Sequence, residues 1–205
     1  RTGATSNIIY LTGKGNFRDE IATIQPYKGN RADAVKPVHH AAVTRYLLDV
    51  HGAVMVEGEE ADDQLSIRCH QDGHIIATID KDLDNTAGIH YNWQRDDLYT
   101  VSGAQAKAHF HMQLLTGDTT DHIPGLFRIT GKRASTKIKD ALRELRTADD
   151  MIAYVLLTYA DALEGTTGCT SKQAQHAAHY FVTEIGQLLW MRREEGEMWE
   201  LPSWA

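Results

Sequence analysis

Three acidic clusters hold the residues best able to do chemistry: Glu57–Gly58–Glu59–Glu60–Ala61–Asp62–Asp63, Asp80–Lys81–Asp82–Leu83–Asp84 and Gly117–Asp118–Thr119–Thr120–Asp121. Hard cations such as Mg2+ and Mn2+ prefer carboxylate and water oxygens as ligands. Two such ions about 3.5–4 Å apart lower the pKa of an attacking water and stabilise the leaving oxygen in phosphodiester cleavage. Each cluster alone also reads as ordinary acid at a helix start or in a loop. Two features weigh against that. On a helix beginning near Glu60, Asp63 shares a face with Ile67, and Asp62 lies near Leu65 and Cys69. Carboxylates beside an inward stripe are costly unless paired or metal-bound, and Arg68 and Lys81 are the only basic residues within these segments. The histidines add nothing to this inventory. His39–His40, His109 and His111 lack HExxH or cysteine-partnered spacing and read as surface or core packing.

The elements that must position these acids alternate in type. A short apolar run, Ile8–Leu11, suits a buried strand; a basic loop then leads to Tyr27–Lys28–Gly29–Asn30–Arg31. Pro37 opens a helix through about Val50, and Ala53–Val56 forms a second strand that runs into the first acidic cluster. A helix follows from about Glu60 to His70, then a strand at His74–Ile79 that stops at Asp80. A strand at Ile89–Trp93 precedes a helix from about Ser102 to Leu115. This alternation predicts βαβ units and an α/β fold with a mostly parallel central sheet flanked by helices. In such sheets ligands sit beyond the carboxyl ends of the strands, where the first two clusters fall. Past Thr116 the chain reads as helical, near Lys132–Leu145, Asp149–Leu163 and Ser171–Arg193. The tail from Gly196 is irregular, with Trp199 and Trp204 read as anchors in preference to contact residues. The expected layout is residues 1–115 as a metal-binding α/β core and 116–205 as a helical packing region, within one continuous domain.

Composition bounds the partners. The chain has 205 residues, 42% hydrophobic and 24% charged, the range of one globular domain. A net charge of −7 argues against gripping nucleic acid with the whole surface, while local Lys and Arg still hold phosphates. No apolar run approaches the roughly 18 to 20 residues of a membrane helix. Two cysteines without framework spacing favour a reducing compartment such as the cytoplasm.

Five ordered motifs resemble the 5′-nuclease family of flap endonucleases and 5′→3′ exonucleases, in its short phage form. They are Phe17–Arg18, Tyr27–Lys28–Gly29–Asn30–Arg31, Glu60–Ala61–Asp62–Asp63, Asp80–Lys81–Asp82–Leu83 and the run from Gly117–Asp118 through Asp121 to Gly125. The resemblance implies that Glu60, Asp62, Asp63, Asp80, Asp82, Asp118 and Asp121 bind Mg2+ or Mn2+, directly or through water. It implies that Lys28 and Arg31 position the scissile phosphate, that Arg18 contacts phosphate, and that Tyr27 either stacks on a base or packs the arch. The stretch from Gly125 to Ala134 matches the family's helix–two-turn–helix element, which holds duplex DNA through backbone amides and a monovalent ion such as K+. Only Gly131 and Lys132 fit its glycine-rich turn, so K+ is left open, while Lys132, Arg133 and Lys137 are expected on phosphate.

The family also carries a first strand ending in Asp, and a second Asp after the strand that Ile8–Leu11 matches; here Thr12 and Gly13 stand at that second place. An absent N-terminal segment, a partner chain that supplies the strand, and a degenerate binding-only relative are the three explanations. The expected function is metal-dependent hydrolysis of DNA, or of RNA–DNA hybrids, at 5′ ends or flaps in replication or degradation. The alternative is a catalytically weak module that binds branched DNA or a replication partner. A PIN-type ribonuclease shares the clustered acids but lacks the Tyr-Lys and Gly-Asp motifs. The short Arg31-to-Pro37 connection favours exonuclease over flap-endonuclease action.

Overall fold

A computed structural model describes residues 2–205. The chain forms two compact units, each assembled from separated segments. The first comprises the chain up to Glu20, Arg31–Gly103 and Met191–Glu197; the second comprises Ile21–Asn30, Ala104–Trp190 and Met198–Ala205.

In the first unit β1 (Tyr10–Asn16) pairs in parallel with β2 (Val54–Gly58), and α2 (His40–His51) lies between them in sequence. This is the crossover helix that parallel neighbours require. β3 (Ile76–Ala77) runs parallel to β4 (Gly88–Asn92), and β4 is antiparallel to β5 (Asp97–Val101). The chain is mixed α/β, but the expected single sheet is replaced by two small ones. One cause lies in His74–Ile79, where only Ile76–Ala77 is strand. The backbone turns after it, and Thr78 Oγ1 takes the Asp80 N–H at 3.0 Å. β5 is the unforeseen element. Its hairpin turn holds Asp96 at φ 54° and uses Asn92 Oδ1 to accept the N–H groups of Gln94 and Arg95.

α3 (Ala61–Asp72) packs against β1, β2 and β3 and ends on Gly73 at φ 67°. Beneath it lies a small core of Cys69, Ile76 and Leu83. Gly88 fits against Cys69 because a Cβ there would meet Sγ at 2.3 Å. The buried Ser66 and Thr86 hydroxyls bond at 2.8 Å and tie α3 to the 3-10 turn Lys81–Asn85. That link fixes the second acidic cluster relative to the first.

The second unit is helical: α4 (Gly103–Thr116), α5 (Leu126–Thr130), α6 (Thr136–Glu144), α7 (Ala148–Thr167) and α8 (Ser171–Leu189). The short α1 (Phe17–Ile21) ends on the first residue of this unit's first segment. Ala174, Ala178, Val182 and Ile185 recur at helical spacing on α8 and are fully buried, as are Val155 and Tyr159 on α7. The Tyr159 hydroxyl donates to the Leu114 carbonyl at 2.7 Å, so its one polar atom is satisfied inside the core. Thr147 and Thr170 cap the starts of α7 and α8, and Gly168 at φ 67° ends α7. α8 stops at Trp190, short of the expected Arg193. Trp199 anchors the tail, as expected: it stacks on the bare backbone of Gly186 and meets Phe110 at 5.4 Å. Trp204 stays about half exposed. Among the described residues, no helix is long and apolar enough to cross a membrane.

Candidate functional site

The first unit carries five of the predicted ligands on two adjoining elements. Glu60 precedes α3, Asp62 and Asp63 stand in its first turn, and Asp80 and Asp82 form the turn after β3. Asp80 Oδ1 accepts the Asp82 N–H at 2.9 Å, which fixes that turn by an N-cap bond. Thr12 Oγ1 accepts the Ala61 N–H at 3.0 Å. The residue standing where the resemblance expects an acid therefore satisfies an orphan donor of α3.

Asp63 is fully buried, and all of its capacity is used by protein donors. Arg18 reaches it in a two-pronged ion pair at 2.6 and 2.9 Å, the Glu60 N–H donates at 3.1 Å, and the Arg192 N–H donates at 3.2 Å. Such bidentate pairing is the strong form of a charged hydrogen bond. The inward face inferred for Asp63 is thus correct, and its charge is balanced by a cation 45 residues away in sequence. Arg18, expected on phosphate, is only 1% exposed and cannot reach one while paired this way. Glu59, outside the expected ligand set, accepts from Gln64 at 2.7 Å and from Arg192 Nη1 at 2.6 Å.

Further along this unit, Asp84 accepts the Tyr99 hydroxyl at 2.9 Å, and Tyr99 stacks on the buried His90 ring at 5.4 Å. Burial, reinforced by the Asp84 hydrogen bond, pushes the Tyr99 phenol up to about 12. Burial also pulls His90 below the usual histidine range, against the Thr86 carbonyl and the Asp84 charge. Arg31 is exposed at the end of the 3-10 turn Gly29–Arg31.

In the second unit two predicted motifs meet. Gly117 at φ 66° and Gly125 lie backbone to backbone: a Cβ on Gly117 would meet Gly125 N at 2.5 Å, and one on Gly125 would meet Gly117 N at 2.4 Å. The loop between them closes with paired backbone bonds between Asp118 and Ile123, at 3.0 and 2.7 Å. Asp118 Oδ1 takes the Thr120 N–H at 2.7 Å. Against this loop lies the segment Pro26–Asn30. Lys28 N–H donates to the Asp121 carbonyl at 2.9 Å, Asn30 donates to the Thr119 carbonyl at 3.0 Å, and Gln25 donates to the His122 carbonyl. The Tyr27 hydroxyl donates to Asp121 Oδ2 at 2.9 Å, and Lys28 Nζ stands 3.5 Å from the same oxygen. Of the two readings of Tyr27, base stacking and packing, its burial fits packing: the ring is a core residue and the hydroxyl donates to Asp121. Lys28 holds φ 50°, a left-handed conformation uncommon for a side chain of its size.

The basic residues after Gly131 are exposed on the loop and helix that follow α5. Gly131 at φ 74° ends α5, and Ser135 caps α6. Arg133 lies over the Phe127 ring at 4.5 Å, Lys132 Nζ rests against Gly165 of α7, and Lys137 sits in the first turn of α6.

The donors of the first unit fit a hard cation in kind: Glu60, Asp62, Asp80 and Asp82 offer carboxylate oxygens and no soft ligand. Asp63 does not fit while Arg18 occupies it. Among the described residues, no group of three or more His, Cys, Asp or Glu side chains is arranged to hold a metal ion.

No family model matches the chain, and no curated protein matches it. Among solved structures, it is similar to a bacteriophage T5 flap endonuclease in a pseudo-enzyme–product complex with DNA and metal ions. That likeness has a TM-score of 0.48 and 18% identity, and it covers 87% of this chain and 85% of that one.

Proposed function

We propose that this chain is a divalent-metal-dependent 5′-nuclease acting on DNA with free 5′ ends or flaps, or on RNA–DNA hybrids. The observation that carries the reading lies in the second unit. There the segment Pro26–Asn30 and the Gly-Asp-x-x-Asp loop, 94 residues apart between Tyr27 and Asp121, lock onto each other through side-chain and backbone bonds. Lys28 is held beside Asp121 in an uncommon backbone conformation, which is where functional constraint concentrates. Its ion pair is part-exposed and belongs to a class worth about 0–1 kcal/mol, so a phosphate can compete for the ammonium. Lys28 is proposed there as a compact point charge that orients the scissile phosphate, and Arg31, in the first unit, is proposed separately as a fork for phosphate oxygens.

Glu60, Asp62, Asp80 and Asp82 are the proposed holders of Mg2+ or Mn2+ in the first unit, with Asp118 and Asp121 as proposed ligands in the second. A divalent ion, when bound, supplies a more acidic water and neutralises developing charge. Lys132, Arg133 and Lys137 are proposed to contact the duplex backbone.

Cleavage of a 5′-labelled duplex and of a flap in Mg2+ tests this. The expected result is divalent-dependent cutting that the double variant Asp80→Asn/Asp82→Asn abolishes. Unchanged cutting by that variant would sink the reading. One observation favours the alternative, a module that binds branched DNA without cutting: Arg18 already saturates Asp63. A gel shift in Ca2+ without cleavage in Mg2+ or Mn2+ would select it.

A further inference from the structure

The segment Ile21–Asn30 of the second unit carries Tyr27 and Lys28, yet between Ile21 and Gly29 it is neither helix nor strand. Backbone N–H groups in such a stretch need partners from elsewhere. At its far end they come from the loop after α4, through the bond from Lys28 N–H to the Asp121 carbonyl. At its near end they come from one side chain of α8, Glu184. Its Oε1 accepts the N–H groups of Thr23 and Ile24, both at 2.8 Å, and its Oε2 accepts the Thr23 hydroxyl. Thr23 Oγ1 also stands 2.7 Å from the Tyr180 hydroxyl, one turn earlier on α8. Glu184 is only 6% exposed and lies 161 residues from Thr23 along the chain. Hydrogen bonds to a carboxylate are the strong kind. Between the two anchors Ile24 and Tyr27 pack onto the helical core. The chain from Ile24 to Lys28 is therefore fixed at both ends, and Lys28 closes it at φ 50°, a conformation that persists only where its surroundings over-determine it.

We infer that Glu184 is a positioning residue for Lys28: by gripping Thr23 and Ile24 it sets where the segment meets the Asp118–Asp121 loop, and so where the ammonium stands. The inference rests on the proposed role of Lys28 at phosphate and adds the α8 residue that holds that lysine in place. The part played is that of an acceptor. In Glu184→Gln the amide oxygen keeps the two N–H bonds and the amide nitrogen donates to Thr23 Oγ1, so most of the effect is recovered, whereas Glu184→Ala loses all three bonds.

Two readouts on the full chain test this. In hydrogen exchange, the Lys28 amide speeds up about 10-fold more than the α7 amides in Glu184→Ala, and far less in Glu184→Gln. An increase shared equally by Lys28 and α7 marks general loosening and overturns the inference. In single-turnover cutting of a 5′-labelled duplex in Mg2+, Glu184→Ala is expected to slow the reaction about 10-fold, while Val155→Ala, a cavity control on α7, leaves it unchanged. Lys28→Ala/Glu184→Ala is expected to be no slower than Lys28→Ala alone, because Glu184 acts through that lysine. Should Glu184→Ala fail to fold, Thr23→Val removes the hydroxyl arm only and carries the same comparisons with smaller losses. Losses that add in the double variant overturn the inference alone. No loss in Lys28→Ala, or no cutting by the unsubstituted chain, overturns the reading of Lys28 and this inference with it.

Discussion

In the second unit cohesion comes from apolar side chains that recur on facing helices: Leu114, Val155, Tyr159, Ala178, Val182 and Ile185 are all shut away from solvent. In the first unit the apolar core shrinks to Cys69, Ile76 and Leu83, and the largest fully buried side chain is an arginine. The candidate acids are held differently as a result. Asp121 takes a tyrosine hydroxyl and a part-exposed lysine on a loop with two glycines, whereas Asp63 is held by a fully buried arginine. Packing is forgiving, because neighbours relax around a lost methyl. A buried ion pair is unforgiving, because removing one partner strands the other. A unit built around charge can therefore place carboxylates rigidly with little core, at the risk of abrupt failure.

The contrast is sharpest at Arg18. Arg18→Met leaves Asp63 buried without its cation and is expected to destabilise by about 3–5 kcal/mol, while Arg18→Met/Asp63→Leu recovers most of that. Urea unfolding followed by circular dichroism measures both; a loss under about 1 kcal/mol in the single variant breaks the comparison. Leu114→Ala in the other unit is expected to lower stability by about 2–5 kcal/mol, with no single rescuing partner. Tryptophan fluorescence reports that loss, since Trp190, Trp199 and Trp204 all belong to this unit. Gly125→Ala forces apart the two backbones of the Asp118–Asp121 loop, for about 1–3 kcal/mol, and hydrogen exchange at Asp118 and Ile123 registers the opening. Tyr27→Phe removes only the hydroxyl on Asp121 and is expected to destabilise by about 0.5–1.5 kcal/mol, read by the same unfolding assay.

The smallest effect is a pH slope. His90 in the first unit and His111 in the second are both pulled down by burial, opposed by the carbonyls of Thr86 and Lys107 respectively. The unfolded chain then binds protons that the folded chain refuses. Stability is complete above the unfolded value of about 6.5 and falls as pH drops through it towards the lowered folded values. His90→Gln flattens that slope, and an unchanged slope in both His90→Gln and His111→Gln refutes the assignment.

What could be read in the sequence was mostly periodic or local. The α3 helix is expected over about 60–70 and found at Ala61–Asp72, and the burial of Asp63 follows from its spacing to Ile67. The Gly117-to-Gly125 spacing is matched by resemblance, and the mutual backbone approach is the physical reason that both positions are glycine. What escaped was long-range or depended on unusual turn chemistry. Nothing near Asp63 announces that its partners are Arg18 and Arg192, 45 and 129 residues away. The resemblance puts Arg18 on phosphate, and nothing in its neighbouring residues announces its burial. The β4–β5 hairpin was invisible because it turns on Asp96 in place of the Asn-Gly or Asp-Gly pair that usually marks such a turn.

The seating of Cys69 against Gly88 has a practical consequence. Its thiol is buried and pushed up by burial, so little of it is thiolate at neutral pH, and the backbone of β4 blocks approach. Cys169, between α7 and α8, is half-buried and free. Towards a maleimide dye or spin label the folded chain is therefore a one-thiol protein. A single fluorophore can be placed at that helical turn without engineering, and the appearance of a second reactive thiol reports the opening of the first unit.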